Sequence, residues 1–208
     1  MINKQKLDSM NIRPLGIEDI DAVVAIHVER FPNYRSTSLG KPFLRKMYYW
    51  FVTNYPDLAL VATFDDQVVG FAVGSIGGYG RRVFRHALPE VAWGFIRHPR
   101  LALNPSTFFL WKSYMRAFMP KSKKKRKTSP DEPQIIEAAF ASLAASESAP
   151  GAGIALILAF ERAAKRKGAR LIGHTVRRDN LIARRLYESL GWQLRGENLV
   201  GASYYKRF

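Results

Sequence analysis

Between Leu143 and Trp192 the sequence runs through a strand end, a glycine loop, a helix, a second strand and a second helix in immediate succession. The rest of the chain is organised around that stretch. Its loop is Ser146-Glu147-Ser148-Ala149-Pro150-Gly151-Ala152-Gly153-Ile154-Ala155, and the alanine-rich apolar run from Leu156 to Lys167 that follows has no internal Gly or Pro. Glycines just before a helix start allow torsions and close approaches that a Cβ would block. The first-turn amides lack intrahelical partners and stand at the positive end of the helix dipole. An anion fits there, a phosphate especially well. Glycine-then-helix is also ordinary turn chemistry, so this signal is weak by itself.

The second half of the stretch strengthens it. Ala169 to Val176 is a short apolar run suited to a buried strand, and Arg177-Arg178-Asp179-Asn180 leads into a helix over Leu181 to Leu190 that Gly191 stops. Asn180, Ala183 and Tyr187 fall at i, i+3 and i+7, on one stripe of that helix. An amide, a small gap and a phenol line one surface.

Leu143-Ala144-Ala145, then Gly151-x-Gly153-Ile154-Ala155, then Asn180-x-x-Ala183-x-x-x-Tyr187-x-x-x-Gly191-Trp192 together resemble the GNAT acetyltransferase superfamily, closely in the C-terminal half and loosely in the N-terminal third. Pro150 departs from the family pattern, which has Gln or Arg there; one side-chain contact is lost, and the amide donors stay.

With 208 residues, 47% of them hydrophobic, the chain can bury one good core. One domain is expected over 1–208, carrying a helical basic insertion at about 77–133. The absence of cysteine excludes a disulfide frame, a thiolate zinc site and a cysteine nucleophile. Met1 to Met10 is polar, and no window reaches the roughly 18 apolar residues of a membrane span, so a cytoplasmic location is expected. A formal charge of +16 attracts nucleic acid, anionic lipid or anionic small molecules without choosing among them.

Along the chain, Asn11 to Leu15 reads as a strand. A helix runs from Gly16 to about Arg30, with Ile20, Val23, Val24, Ile26 and His27 at helical spacing. Asn33 to Ser38 reads as a polar connection, and Leu39 to Asn54 as an aromatic-rich helix. Leu58 to Phe64 and Gln67 to Ile76, separated by Asp65-Asp66, give an antiparallel hairpin signal. Gly70 and Gly74 inside the second strand mark a bulge or a close approach. A helix is expected around Val83 to Ile96 and another over Pro105 to Met119. The cationic run Lys121 to Lys127 follows; it is a solvated loop, or an anchor on an anionic membrane surface. Nucleic acid is disfavoured, because no recognised nucleic-acid module accompanies the run. Ile135 to Ser146 would be the fourth strand, and Trp192 to Glu197 and Ala202 to Arg207 the closing pair.

The resemblance implies an α+β fold, the GNAT acyl-CoA N-acyltransferase fold, with a mixed central sheet splayed between strands 4 and 5 and a helical insertion between strands 3 and 4. It implies acetyl-CoA as cofactor: Leu143, Ala144 and Ala145 would pair with the pantetheine arm, and Gly151, Ala152, Gly153, Ile154 and Ala155 would hold the pyrophosphate. Asn180 would contact the arm, Ala183 would leave it room, and Tyr187 would act as general acid toward the thiolate. The acceptor expected is a primary amine of a small molecule or amino sugar. A protein amine, or a non-catalytic module binding anionic membrane or nucleic acid, is the alternative, and a homodimer is left open. For the base, Glu137 shares a face with Ala139, Ala141 and Leu143 by period-two alternation; a surface role is the competing reading. His174 is a second candidate. His27, His86 and His98 show no ligand spacing, and no metal is expected.

Overall fold

Asp65 and Asp66 both adopt left-handed torsions, φ 47° and 60°, the geometry that a two-residue hairpin turn demands. They join β2 (Ala59–Phe64) to β3 (Gln67–Ile76) in antiparallel pairing. The computed structural model describes residues 10–97, 136–198 and 201–208. The expectations for the N-terminal decapeptide up to residue 9, for the helix at Pro105 to Met119 and for the run Lys121 to Lys127 lie outside the described residues.

β1 (Asn11–Pro14) borders β2, and β4 (Glu137–Ala145), β5 (Leu171–Arg177), β6 (Gln193–Glu197) and β7 (Gly201–Arg207) complete a seven-stranded sheet in the order β1-β2-β3-β4-β5-β7-β6. All neighbours are antiparallel except β4 and β5. The fold is thus a mixed-sheet α+β arrangement, as expected.

Before the hairpin, a 3-10 turn at Ile17–Asp19 leads into α1 (Ile20–Arg30). Arg13 grips both Asp19 oxygens at 2.6 and 2.7 Å while the Gly16 amide donates to the same carboxylate, clipping β1 to the helix start. The connection read as purely polar contains a short helix, α2 (Arg35–Ser38), ahead of α3 (Lys41–Asn54). The single helix expected at Val83 to Ile96 is two, α4 (Gly80–His86) and α5 (Leu88–Arg97). The break at Ala87 precedes Leu88-Pro89, and a proline is tolerated only in a helix's first turn. α6 (Ala152–Arg166) and α7 (Leu181–Ser189) follow β4 and β5, and Gly191 takes φ 79° after α7, the left-handed C-terminal stop.

Each sheet face has its own apolar cluster. Val23, Val24, Leu44, Tyr48 and Phe51 from α1 and α3 pack on Val61, Phe71 and Val73. On the other face Leu156, Ile157 and Phe160 of α6 pack on Ala62, Ala72, Ala138 and Phe140, joined by Tyr187, Trp192 and Tyr204. Burying side chains of this size contributes about 1.5–3 kcal/mol each. Glu161, buried in α6, accepts hydrogen bonds from the Trp192 indole and the Lys206 ammonium, both at 2.7 Å, which ties β6 and β7 to that layer.

Two irregularities shape the middle of the sheet. β4 pairs with β5 only over Glu137–Ala139 opposite Leu171–Gly173. Against β3, Phe140 faces Gly74 and Ser142 faces Val73, so Ala141 is an extra, bulged residue. A bulge bends its strand and sharpens the twist, and the two parallel strands diverge from that point. Gly74 is obligatory here: a Cβ would meet the Phe160 ring at 2.3 Å and the Ala139 carbonyl at 2.4 Å. The bulge also corrects the period-two reading of β4. Ala141 packs toward α1 and α3, while Leu143 packs toward α6, so Leu143 does not share the face of Glu137 and Ala139.

Candidate active site

Where β4 and β5 part, a cavity of about 210 Å³ passes through the sheet. Phe31, Met47, Phe51 and Tyr79 line it from the α1/α3 side; His174, Val176, Ala183 and Tyr187 line it from the other. Tyr34, Ser142, Leu143 and Asn180 also line it, and so do His27, Ser36, Ala141 and Thr175.

The stripe read from α7 stands: Asn180, Ala183 and Tyr187 all line the cavity. Asn180 has a second task. It caps α7, its Oδ1 accepting from the Ala183 amide at 3.0 Å, and its side chain also bonds Tyr34. Ala183 leaves a gap that a larger residue would close.

Tyr187 is 1% exposed, surrounded by Phe140, His174, Trp192 and Tyr204. Burial raises its pKa far above the ordinary phenol value, and the nearby Tyr34 pushes the same way. The hydroxyl holds its proton throughout the neutral range. His174, ring centroid 5.2 Å from that of Tyr187, is fixed across the strand gap by a 2.7 Å hydrogen bond to the Phe140 carbonyl. Burial lowers its pKa to about 4, against the opposing effect of that bond. The neutral ring therefore carries its proton on Nδ1, because a carbonyl can only accept, and Nε2 keeps a lone pair.

A second polar chain borders the same cavity through His27 and Ser36. His27 is 3% exposed; its Nδ1 shares a 2.5 Å hydrogen bond with the Tyr48 hydroxyl and its Nε2 a 3.0 Å bond with Ser36. Tyr48 in turn bonds Ser142, beside the bulged Ala141. Burial drives the His27 pKa down to about 4 and the Tyr48 phenol up.

The glycine loop meets the cavity through Leu143, whose Cδ2 lies 4.0 Å from the position of a Cβ on Gly153. Gly151 caps α6 with φ 92°, a torsion that glycine tolerates and other residues rarely adopt. Of the five residues read as pyrophosphate donors, two amides are engaged: Ala152 donates to the Ala149 carbonyl and Ala155 to Gly151. Gly151, Gly153 and Ile154 remain as the open donors at the helix mouth.

The Ala144 side chain is buried among the α1/α3 cluster and that of Ala145 packs with the α6 cluster, so neither lines the cavity, while their backbones continue the β4 edge beyond its last pairing with β5 at Ala139. Glu137 stands at the parallel-paired end of β4, bonded to Arg195 at 3.2 Å, with its carboxylate over Gly173. It lies off the cavity lining. Tyr34, Ser142, Phe31 and Tyr79 were not legible as site residues; an aromatic in a connecting segment, Tyr34, was the one local sign. Among the described residues no cluster of His, Asp or Glu could hold a metal ion, and no helix is long and apolar enough to cross a membrane.

No protein-family model matches the sequence, and no curated protein matches it. Solved structures do. Ard1 from Thermoplasma volcanium superposes with a TM-score of 0.58 at 18% identity, over 96% of this chain and 97% of its own. PaiA N-acetyltransferase from Thermoplasma acidophilum, in complex with coenzyme A, gives 0.58 at 15% identity over 96% and 99%. Arabidopsis thaliana Naa50, in complex with the bisubstrate analogue CoA-Ac-MVNAL, gives 0.58 at 11% identity over 96% and 99%. The fold is therefore that of the GNAT N-acetyltransferases.

Proposed function

We propose that the chain is an acetyl-CoA-dependent N-acetyltransferase acting on a primary amine, in one continuous domain. The observation that carries this reading is the through-sheet cavity at the β4/β5 divergence, with the Tyr187 phenol inside it and the amides of Gly151, Gly153 and Ile154 at the adjoining helix mouth. Acetyl-CoA supplies the acetyl group as a thioester. The edge of β4 near Leu143, without a strand partner toward β5, is suited to pair with an extended pantetheine arm. Ala183 leaves the arm its room. The open amides suit a pyrophosphate.

Tyr187 donates its proton to the departing sulfur as the C–S bond breaks and the C–N bond forms. Its raised pKa makes it a hydrogen-bond donor until sulfur acquires charge, as a general acid requires. The proton shed by the amine leaves through solvent on the α1/α3 side. Glu137 faces that side near Gly173 and serves at most through water, since it stands off the lining.

A small amine or amino sugar suits a cavity of this size better than a folded surface; a protein amine is the second reading, favoured by the likeness to the Naa50 complex. Acetyl-CoA should raise the melting temperature by ligand linkage. A thiol-release screen across amino sugars, polyamines, amino acids and peptides should find an acceptor. If acetyl-CoA leaves the melting temperature unchanged and no amine releases thiol, the proposal is wrong.

A further inference from the structure

The two halves of the sheet are finished differently on the α1/α3 side. Over β2, β3 and the end of β4 the helices close it, whereas Thr175 of β5 is exposed and Ser203 and Tyr205 of β7 are partly so. This floor, uncovered by the described residues, begins at the cavity that Thr175 lines and runs along β5 and β7 toward Leu171 and Arg207, a registered pair. At that far end is a separate cavity of about 500 Å³, lined by Arg170, Arg195 and Arg207 with Leu171, Leu194, Tyr205 and Phe208.

Among the described residues no Asp or Glu side chain lines it. Arg195 lies over the Tyr205 ring, 5.3 Å from its centroid, and reaches across β7 and β5 to Glu137. The crossing is open because Gly173 lies beneath it: a Cβ there would strike the Glu137 carboxylate at 2.8 Å. Both partners of that bridge are about half exposed, so it is weak and Arg195 can turn to another anion at little cost. Arg170 and Arg207 are exposed and have no carboxylate partner among the described residues. Arginine forks beside an aromatic face match the planar, multidentate geometry of phosphate and carboxylate groups.

We propose that this cavity binds an anionic group, phosphate or carboxylate, carried by the amine acceptor. The claim rests on the acetyl-transfer reading for the acceptor's other end. From Thr175 to Leu171 is four strand positions, so the anion sits roughly 13 Å from the cavity where the amine reacts. The acceptor is then an extended molecule, amine at one end and anion at the other, lying along β5 and β7.

The anion site is tested without turnover. With coenzyme A first bound to saturation, to fill the glycine-loop site, inorganic pyrophosphate and citrate are titrated calorimetrically into the parent chain and into Arg170→Ala/Arg207→Ala. Arg162→Ala/Arg166→Ala, on the exposed far side of α6, removes the same charge as a control. The expected result is a loss of about tenfold or more in the first variant and little change in the control. Tighter pyrophosphate than citrate identifies a phosphate group, and the reverse a carboxylate. Equal weakening in both variants, or no binding by either anion, overturns the proposal. ω-Amino carboxylates and ω-aminoalkyl phosphates of graded length, each beside its uncharged alkylamine, then test the span. The account expects a lower KM for anionic amines of one length, lost in Arg207→Ala with kcat kept. Equal KM for charged and neutral amines overturns it. If no amine at all releases thiol, the acetyl-transfer reading fails, while the anion isotherms are decided independently.

Discussion

A histidine–tyrosine pair stands on each side of β4, and the two are put to opposite uses. His27 and Tyr48 share a hydrogen bond, and their remaining groups are satisfied by Ser36 and Ser142. His174 and Tyr187 lie ring against ring in a tilted contact without bonding each other; the histidine is anchored to the Phe140 carbonyl, and the Tyr187 hydroxyl bonds none of the described residues. Residue types and the direction of every pKa shift are the same, though His27 is buried and His174 only partly so. What separates a structural pair from a reactive one is whether its hydrogen-bonding capacity is already used.

Removing one oxygen from each tyrosine tests that contrast most severely. Tyr187→Phe should lower acetyl transfer by about a hundredfold to ten-thousandfold, with the melting temperature near the parent's, since no described partner loses a bond. Tyr48→Phe should do the reverse. It strands His27 and Ser142 in the interior and should cost about 1–3 kcal/mol of stability, read from the denaturant midpoint, while the folded fraction keeps most of its turnover. Exchanged phenotypes would break the comparison.

Acid should expose what the two pairs share. Both histidines are neutral in the folded chain with pKa values near 4, against 6.5 for the free side chain. The unfolded chain therefore binds protons first, and stability should be full above about pH 6.5 and fall as pH drops toward 4. Replacing His27 with Asn should remove about half of that slope over the same window, measured from unfolding midpoints at each pH. An unchanged slope would show that His27 takes up no extra proton on unfolding. The smallest effect belongs to Glu137: standing off the cavity, Glu137→Gln should lower turnover by about tenfold or less. A loss as large as that of Tyr187→Phe would return it to direct contact with the amine.

The sequence made some of this plain and hid the rest for physical reasons. Asp65-Asp66 between β-branched runs announced the hairpin, and the Asn180/Ala183/Tyr187 stripe followed from helical spacing, because both are local. Ala141 could not be recognised as a bulge: alanine on either side carries no turn signal, and the slip arises from pairing with β3 around Gly74. That one extra residue misassigned Leu143 to the face of Glu137. The His27–Tyr48–Ser142 chain joins residues 21 and 94 positions apart, beyond the reach of periodicity. Tyr34 enters the site only because the chain around α2 folds back onto Asn180.

The whole account requires that the gap between β4 and β5 be where coenzyme A lies. Calorimetric titration of coenzyme A into the parent chain and into Ala183→Leu, which fills that gap from α7, asks this directly. The account predicts saturable binding to the parent and a loss of about tenfold or more in the variant, at an unchanged melting temperature without ligand. Equal affinity for the two would contradict it.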